Sequence, residues 1–136
     1  MAKKLNIEDP DVGQSDFGAF YPTGSVVVAF PDTDSAQNVR SALLEGGYEE
    51  NDCQYFPADT MERRTKNNLE HVGFLASLGQ SEKMISRYLE LARDGSDFLI
   101  IYAPTEPESD RVMRVVKRGP FRLAQKYHRL AIEDLQ

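Results

Sequence analysis

The sequence has few of the residues on which many specialised small proteins depend. Cys53 is the single cysteine among 136 residues, which excludes an internal disulfide and fits a reducing compartment. The two histidines, His71 and His128, have no cysteine or histidine at ligand spacing, and zinc takes about four such ligands. We therefore predict no metal site, and we expect Cys53 to be a small buried or half-buried thiol.

Long apolar stretches and glycine-rich phosphate loops are also missing. No apolar run approaches the roughly 18–20 residues of a membrane span, and the basic N-terminus is not followed by the apolar core of a signal peptide. Neither G-x-G-x-x-G nor G-x-x-x-x-G-K-S/T occurs, so no cofactor is predicted. These absences favour a cytoplasmic protein without a membrane partner.

Positive charge is scarce over most of the chain. The sequence has 16 lysines and arginines against 22 aspartates and glutamates, which gives a net charge of −6. Nonspecific binding to nucleic acid needs an accumulated positive field, so we predict no nucleic-acid partner.

The apolar pattern predicts two β–α–β halves separated by helical sequence. Two strands are predicted over residues 25–30 and 97–104, and their segments 26–30 and 98–103 are apolar at both parities, as expected of strands buried on both faces. The stretch 121–132 is predicted to be the last strand, but its alternation is broken, and a bulge or face change near Arg129 would reconcile it. The other predicted elements are a helix from Asp32 or Asp34 to Gly46, a strand over 52–58, helical segments over 59–78 and 81–95, and a helix over 105–119.

This order predicts an α+β fold of the ferredoxin-like, split β–α–β type. The sheet would be antiparallel and four-stranded, with its first and third strands in the middle. One or two helices would be inserted between the halves, at about residues 59–79. Residues 25–136 would form a single domain, preceded by a flexible N-terminal arm over residues 1–24 that is rich in Asp, Gly, Pro and Ser.

Residues 25–58 resemble the bacterial general-stress (heat-induced stress) protein domain. In that domain a strand is followed by an Asp-led turn, a helix of small and apolar residues, a Gly-Tyr or Gly-Phe pair and a second strand. The resemblance implies this fold and a stress context, and it implies no active site. The matching positions in this sequence are Phe30, Asp32, Ala36, Leu43, Gly47 and Tyr48.

The helices of the two halves would cover only one face of such a sheet. Leaving the other face in water would be costly, since apolar burial stabilises by about 25 cal/mol per Å². The inserted segment, the N-terminal arm or a second subunit are the candidate covers. We expect a homodimer that forms through this second sheet face.

The stretch from residue 111 to residue 129 holds seven of the 16 basic residues and no acid. Its first half is typical of an amphipathic helix whose basic side faces solvent, and salt bridges to the acidic body are equally open. Arg118 and Arg122 flank the Gly119-Pro120 turn, however, and a guanidinium pair suits phosphate or carboxylate. The candidate anion-binding residues are Arg114, Arg118, Arg122, Lys126, His128 and Arg129.

Three functions remain open from the sequence. The favoured one is a non-enzymatic regulatory or stress-related module that self-associates. The first alternative is a domain that binds a small anionic ligand or nucleotide at the basic stretch. The second is an enzyme of the dimeric α+β barrel kind, for which Tyr102, Tyr127 and His128 are the candidate residues. No catalytic residue is predicted.

Overall fold

Two apolar strands form the middle of the sheet. The computed structural model describes residues 23–70, 80–128 and 131–135. Strand β1 (Ser25–Phe30) is buried along its whole length, and β3 (Asp97–Tyr102) is buried or half-buried throughout. They pair antiparallel, with Val28 opposite Leu99. The predicted central position of these two strands is confirmed, because the sheet order is β2-β3-β1-β4-β5.

Shorter strands complete the sheet on both sides. Strand β2 (Cys53–Phe56) pairs with β3, β4 (Leu123–Tyr127) pairs with β1, and every pairing in the five-stranded sheet is antiparallel. The prediction of one last strand over 121–132 is wrong. The chain reverses after Tyr127 and returns as β5 (Ile132–Asp134) beside β4, so the alternation is broken by a hairpin. The described residues therefore form an α+β fold with five strands.

Helices α1 (Thr33–Glu45) and α4 (Glu106–Val116) pack on one sheet face. Asp32 caps α1, since its side chain accepts a hydrogen bond from the Ser35 amide at 2.8 Å. A capping box between Thr105 and Glu108 begins α4. The helical residues buried in this first core are Ala36, Val39 and Leu43 of α1 and Val112, Met113 and Val116 of α4.

Helices α2 (Ala58–Glu70) and α3 (Gln80–Arg93) cover the opposite face. The inserted helical segment is thus present through residue 70, and residues 71–79 lie outside the described residues. This second core joins helical and strand residues, namely Met61, Tyr88, Leu91 and Ala92 with Val27, Ala29, Phe98, Leu123 and Tyr127. The inserted helices, one of the three candidate covers, account for this face in the described part of the chain. The expectation of a homodimer rests on an uncovered second sheet face. Because the inserted helices cover this face, the homodimer stays a prediction without that support.

The predicted N-terminal arm falls almost wholly outside the described residues, which begin at Thr23. Gly24 already belongs to the sheet end, because its amide donates to the Tyr127 carbonyl at 2.8 Å and its carbonyl accepts from the Ala103 amide at 2.9 Å. In the described ranges no helix has the length and apolar character that crossing a membrane requires.

Candidate functional site

The structure divides the predicted anion-binding residues between two ends of the sheet. Strand β4 places Leu123 opposite Ala29 and Lys126 opposite Val26, at the two ends of β1. Arg118 and Arg122 precede β4 and lie at its first end, whereas Lys126 and His128 lie at its far end. Arg114 is exposed on α4, and Arg129 lies outside the described residues. The set does not converge on a single anion.

Arg122 is occupied by contacts within the protein. Its Nη1 donates to the Ser96 hydroxyl at 3.1 Å, and its backbone amide donates to the Ala29 carbonyl at 2.7 Å. The hydrogen bond from the Ser35 amide lowers the pKa of Asp32, and the charge of Arg122 lowers it further to a smaller extent. Arg122 thus connects the start of β4 to the residue before β3, and it is not among the residues that line the groove described below.

Lys126 is a buried lysine of the first core. Its ammonium donates to the Ala103 carbonyl at 2.7 Å and to the Ser109 hydroxyl at 2.6 Å, while the Pro104 carbonyl lies 3.5 Å away. An ammonium has three donors, and the protein supplies three oxygen atoms around it. Lys126 therefore ties β4 to the start of α4 and leaves little capacity for a ligand.

We expect Lys126→Met to change how stability depends on pH. Burial lowers the pKa of Lys126 below its ordinary value of 10.5, although Glu133, Glu108, Glu106 and Asp110 act in the opposite direction. The folded protein then holds this proton less tightly than the unfolded chain does. The contribution of Lys126 to the free energy of unfolding is therefore fully present above a pH of 10.5. It is lost as the pH falls through the pKa of Lys126 in the folded state.

The free energies of unfolding in urea, measured from about pH 8 to about pH 10.5, test this sign. The wild-type value minus the Lys126→Met value is expected to rise with pH across this range. Lys117→Met, the same change at an exposed lysine, is the matched control against which the trend is compared. A difference that stays flat with pH for Lys126→Met would contradict the lowered pKa.

Two of the three residues proposed for a barrel-type enzyme, Tyr127 and His128, are engaged in contacts within the fold, and Tyr102 is half-buried at the end of β3. The Tyr127 hydroxyl lies 2.6 Å from that of Tyr88, which in turn donates to the Gln125 side chain at 3.0 Å. Burial is the main cause that raises the pKa of Tyr88 well above its usual range, so this phenol is a poor acid–base group. The exposed His128 ring lies 2.9 Å from a Glu133 carboxylate oxygen. These contacts connect β4 to α3 and β5.

Arg118 borders a groove between α1 and the end of α4. The groove has a volume of about 250 Å³ and combines an apolar surface with a few polar groups. Its α1 side presents positions 35, 38, 39 and 42, which are spaced i, i+3, i+4 and i+7 and so share one helical face. The lining residues are Ser35, Asn38, Val39, Ala42, Val115, Arg118, Gly119 and Pro120.

Arg118 is the charged residue of this lining, and its side chain is exposed. Among the residues that the structure describes, no acid lies within ion-pair distance of its guanidinium. The sequence analysis includes Arg118 among the candidate residues, but it does not include the α1 residues on the other side of the groove. The signal for those residues was available in the helical spacing of α1, where Ser35 and Asn38 flank the apolar positions.

Asp97 organises a polar cluster that the sequence did not indicate. This carboxylate, 4% exposed at the start of β3, accepts hydrogen bonds from the Thr33 hydroxyl at 2.7 Å, the Tyr55 hydroxyl at 2.6 Å and the Ala58 amide at 2.9 Å. Burial raises the pKa of Tyr55, and the neighbouring Asp97 raises it further. The cluster joins the first residues of α1 and α2 to two strands, so its role is structural.

The expectation of a buried thiol at Cys53 is confirmed. Cys53 is fully buried at the start of β2, and burial raises its pKa to about 12, which leaves little reactive thiolate near neutral pH. Its carbonyl accepts a hydrogen bond from Arg40 at 2.9 Å. Within the described ranges, no three His, Cys, Asp or Glu side chains gather where they could hold a metal ion. His71 lies outside those ranges.

Comparison with known proteins adds no assignment to this geometry. The resemblance of residues 25–58 to the general-stress domain stays a prediction. The function of the groove is therefore inferred from its lining residues alone. No family model matches the chain, and no curated protein or solved structure is significantly similar to it.

Proposed function

We propose that this protein is a small binding module that holds an anionic ligand in the groove between α1 and α4. One observation carries the proposal: an exposed guanidinium without a described acid partner borders a concave surface that is partly apolar. Ligand sites commonly combine an apolar lining with a few polar groups that orient the ligand. The role requires no turnover, in keeping with the non-enzymatic function that the sequence favours.

Arginine is well suited to this task in an acidic protein. Its guanidinium stays charged at all physiological pH values and offers a planar set of donors to a carboxylate or phosphate. The chain carries a net charge of −6, which repels anions over most of its surface. Arg118 is the charged residue of the groove lining and is exposed, so a positive charge borders the groove itself. An anion would therefore be drawn to the groove side.

We also infer that the fold is a ferredoxin-like one, extended by a fifth strand and two inserted helices. The order β2-β3-β1-β4 within the sheet supports this inference. Helices α1 and α4, which follow β1 and β3, pack together on one sheet face as the crossovers of two β–α–β halves do. The groove would then lie between the two crossover helices, on the side away from the sheet.

Replacing Arg118 with alanine tests the proposed function. Amide signals of residues 35–42 and 115–119 are followed by NMR while phosphate, acetate or 3-methylbutanoate is added to the full chain. We expect at least one anion to shift these signals, and Arg118→Ala to weaken its binding at least about tenfold, equivalent to about 1.4 kcal/mol. A charge-assisted bidentate contact accounts for a loss of this size.

Arg114→Ala is the matched control, since Arg114 is an exposed arginine of α4 that does not line the groove. It should bind the anion as the wild type does. The proposal is wrong if no anion shifts the groove signals, or if Arg118→Ala and Arg114→Ala weaken binding equally.

A further inference from the structure

The lining of the groove favours one chemical class of anion. Provided that the proposed function holds, we infer that the ligand is a monocarboxylate with a short, branched apolar chain. Its carboxylate would bind the Arg118 guanidinium, and its chain would lie on Val39, Ala42 and Val115. A phosphate or a nucleotide fits this lining less well.

The distribution of charge disfavours a dianion. Arg118 is the one formally charged residue of the lining, so a phosphate dianion would keep an uncompensated charge. Asp32 lies three residues before Ser35 of the lining, and its pKa is lowered, so it is ionised at neutral pH. Asp34 adds a second exposed carboxylate in the first turn of α1. A singly charged carboxylate meets less repulsion from these two acids.

The start of α1 does not offer phosphate the amides that such ligands use. Phosphate sites at helix N-termini need free backbone N–H groups that point at the oxygens. Here the Ser35 amide donates to the Asp32 side chain at 2.8 Å, and the Ala36 amide donates to the Asp32 carbonyl at 3.4 Å. The protein's own carboxylate thus occupies the position that a phosphate would take.

The size and character of the lining favour a short apolar chain. A volume of about 250 Å³ lies below the range of about 300–1,000 Å³ typical of sites for drug-sized ligands. Val39 is 7% exposed, and Ala42 and Val115 are half-buried, so they form an apolar surface. A chain of three or four carbons can cover this surface while the carboxylate reaches Arg118. The exposed Asn38 amide is available at the edge for a further hydrogen bond.

A carboxylate of this kind has two sources. One is a free branched-chain acid, and the other is the C-terminal residue of a peptide that ends in valine or leucine. Both present the same group to Arg118 and Val115. In the peptide, an amide nitrogen is bonded to the carbon next to the carboxylate, and in the free acid it is absent. That difference can be tested.

The experiment is an NMR titration of the full chain with five compounds. They are 3-methylbutanoate, its neutral amide 3-methylbutanamide, inorganic phosphate, N-acetyl-glycyl-valine, and the C-terminally amidated form of that peptide. We expect 3-methylbutanoate to shift the amide signals of residues 35–42 and 115–119. The neutral amide and phosphate should each bind at least tenfold more weakly, and Arg118→Ala should remove the preference for the acid.

A second variant checks the placement of the apolar chain. Ala42→Leu adds three carbon atoms to the groove on a half-buried helical position and keeps Arg118 intact. We expect it to weaken 3-methylbutanoate binding at least tenfold. An unchanged midpoint of urea unfolding shows that the variant is folded. Binding that survives Ala42→Leu would overturn the groove as the site.

The outcomes separate this inference from the proposed function. If phosphate binds through Arg118 and 3-methylbutanoate does not, the ligand class is wrong and the anion-binding module stands. If no anion shifts the groove signals, both fail. If 3-methylbutanamide binds as well as the acid, the charge is irrelevant and the inference is overturned. Tighter binding of N-acetyl-glycyl-valine than of both the free acid and the amidated peptide would support the inference and identify a peptide C-terminus as the source.

Discussion

Asp97→Ala is expected to lower the free energy of unfolding by about 3–5 kcal/mol. The carboxylate accepts three hydrogen bonds, from the Thr33 hydroxyl, the Tyr55 hydroxyl and the Ala58 amide, in a place where it is 4% exposed. Hydrogen bonds to charged groups contribute about 1.5–3 kcal/mol each, and the sum is less than additive. Urea unfolding followed by circular dichroism measures the loss.

Two further variants show whether the loss comes from the cluster. Asp97→Asn keeps the size of the side chain and one acceptor oxygen, so it should cost less than alanine does. Asp94→Ala changes an exposed aspartate in the turn before β3 and should stay within about 0.5 kcal/mol of the wild type. If Asp97→Ala costs no more than Asp94→Ala, the three hydrogen bonds do not hold the ends of α1 and α2.

Phe98→Ala is expected to cost a similar amount, about 3–5 kcal/mol, through the loss of packing. The Phe98 ring is fully buried in the second core, and its centroid lies 5.7 Å from that of Tyr88 in an edge-on arrangement. Removing it leaves a cavity between the sheet and α3. Urea unfolding gives the total loss, and hydrogen exchange of the amides of residues 86–93 shows whether α3 loosens first.

Phe121→Ala provides the comparison for this variant. Phe121 is half-buried and packs against the first core, so its truncation should cost less, about 1–2 kcal/mol. The two variants should also differ in where protection is lost. Equal costs, together with unchanged exchange in α3, would mean that α2 and α3 are not an integral layer of the fold.

The central strands could be predicted because their sequence is unambiguous. Three consecutive valines in β1 and the run Phe98–Ile101 in β3 are apolar at both parities, and only a strand covered on both faces needs that pattern. The hairpin between β4 and β5 could not be predicted in this way. Residues 128–131 contain no Gly, Pro, Asn or Asp, so the turn carries none of the usual signals. The sequence pattern therefore predicts a continuous strand over these residues.

The groove was predictable in part, for a related reason. Arg118 stood out because it belongs to a basic stretch without acids, but Lys126 stood out equally and turned out to be buried. Charge counting does not show whether a lysine reaches carbonyl oxygens inside the fold. The role of Asp97 is not visible in the sequence, because its three donors come from residues far from it in the chain. Hydrogen bonds between residues so distant in the sequence are set by the topology of the fold, and the local sequence pattern does not indicate them.

The place of β1 between β3 and β4 also affects how the chain is made. Val28 pairs with Leu99 on one side and with Ala124 on the other, so β1 receives its second partner only when β4 has been synthesised. At about 5–20 residues per second, roughly 100 intervening residues take on the order of 5–20 s to translate. During that interval the apolar segment Val26–Ala29 has an unpaired edge, which other nascent chains can add to. We therefore expect this edge to be open to pairing with other chains until β4 emerges.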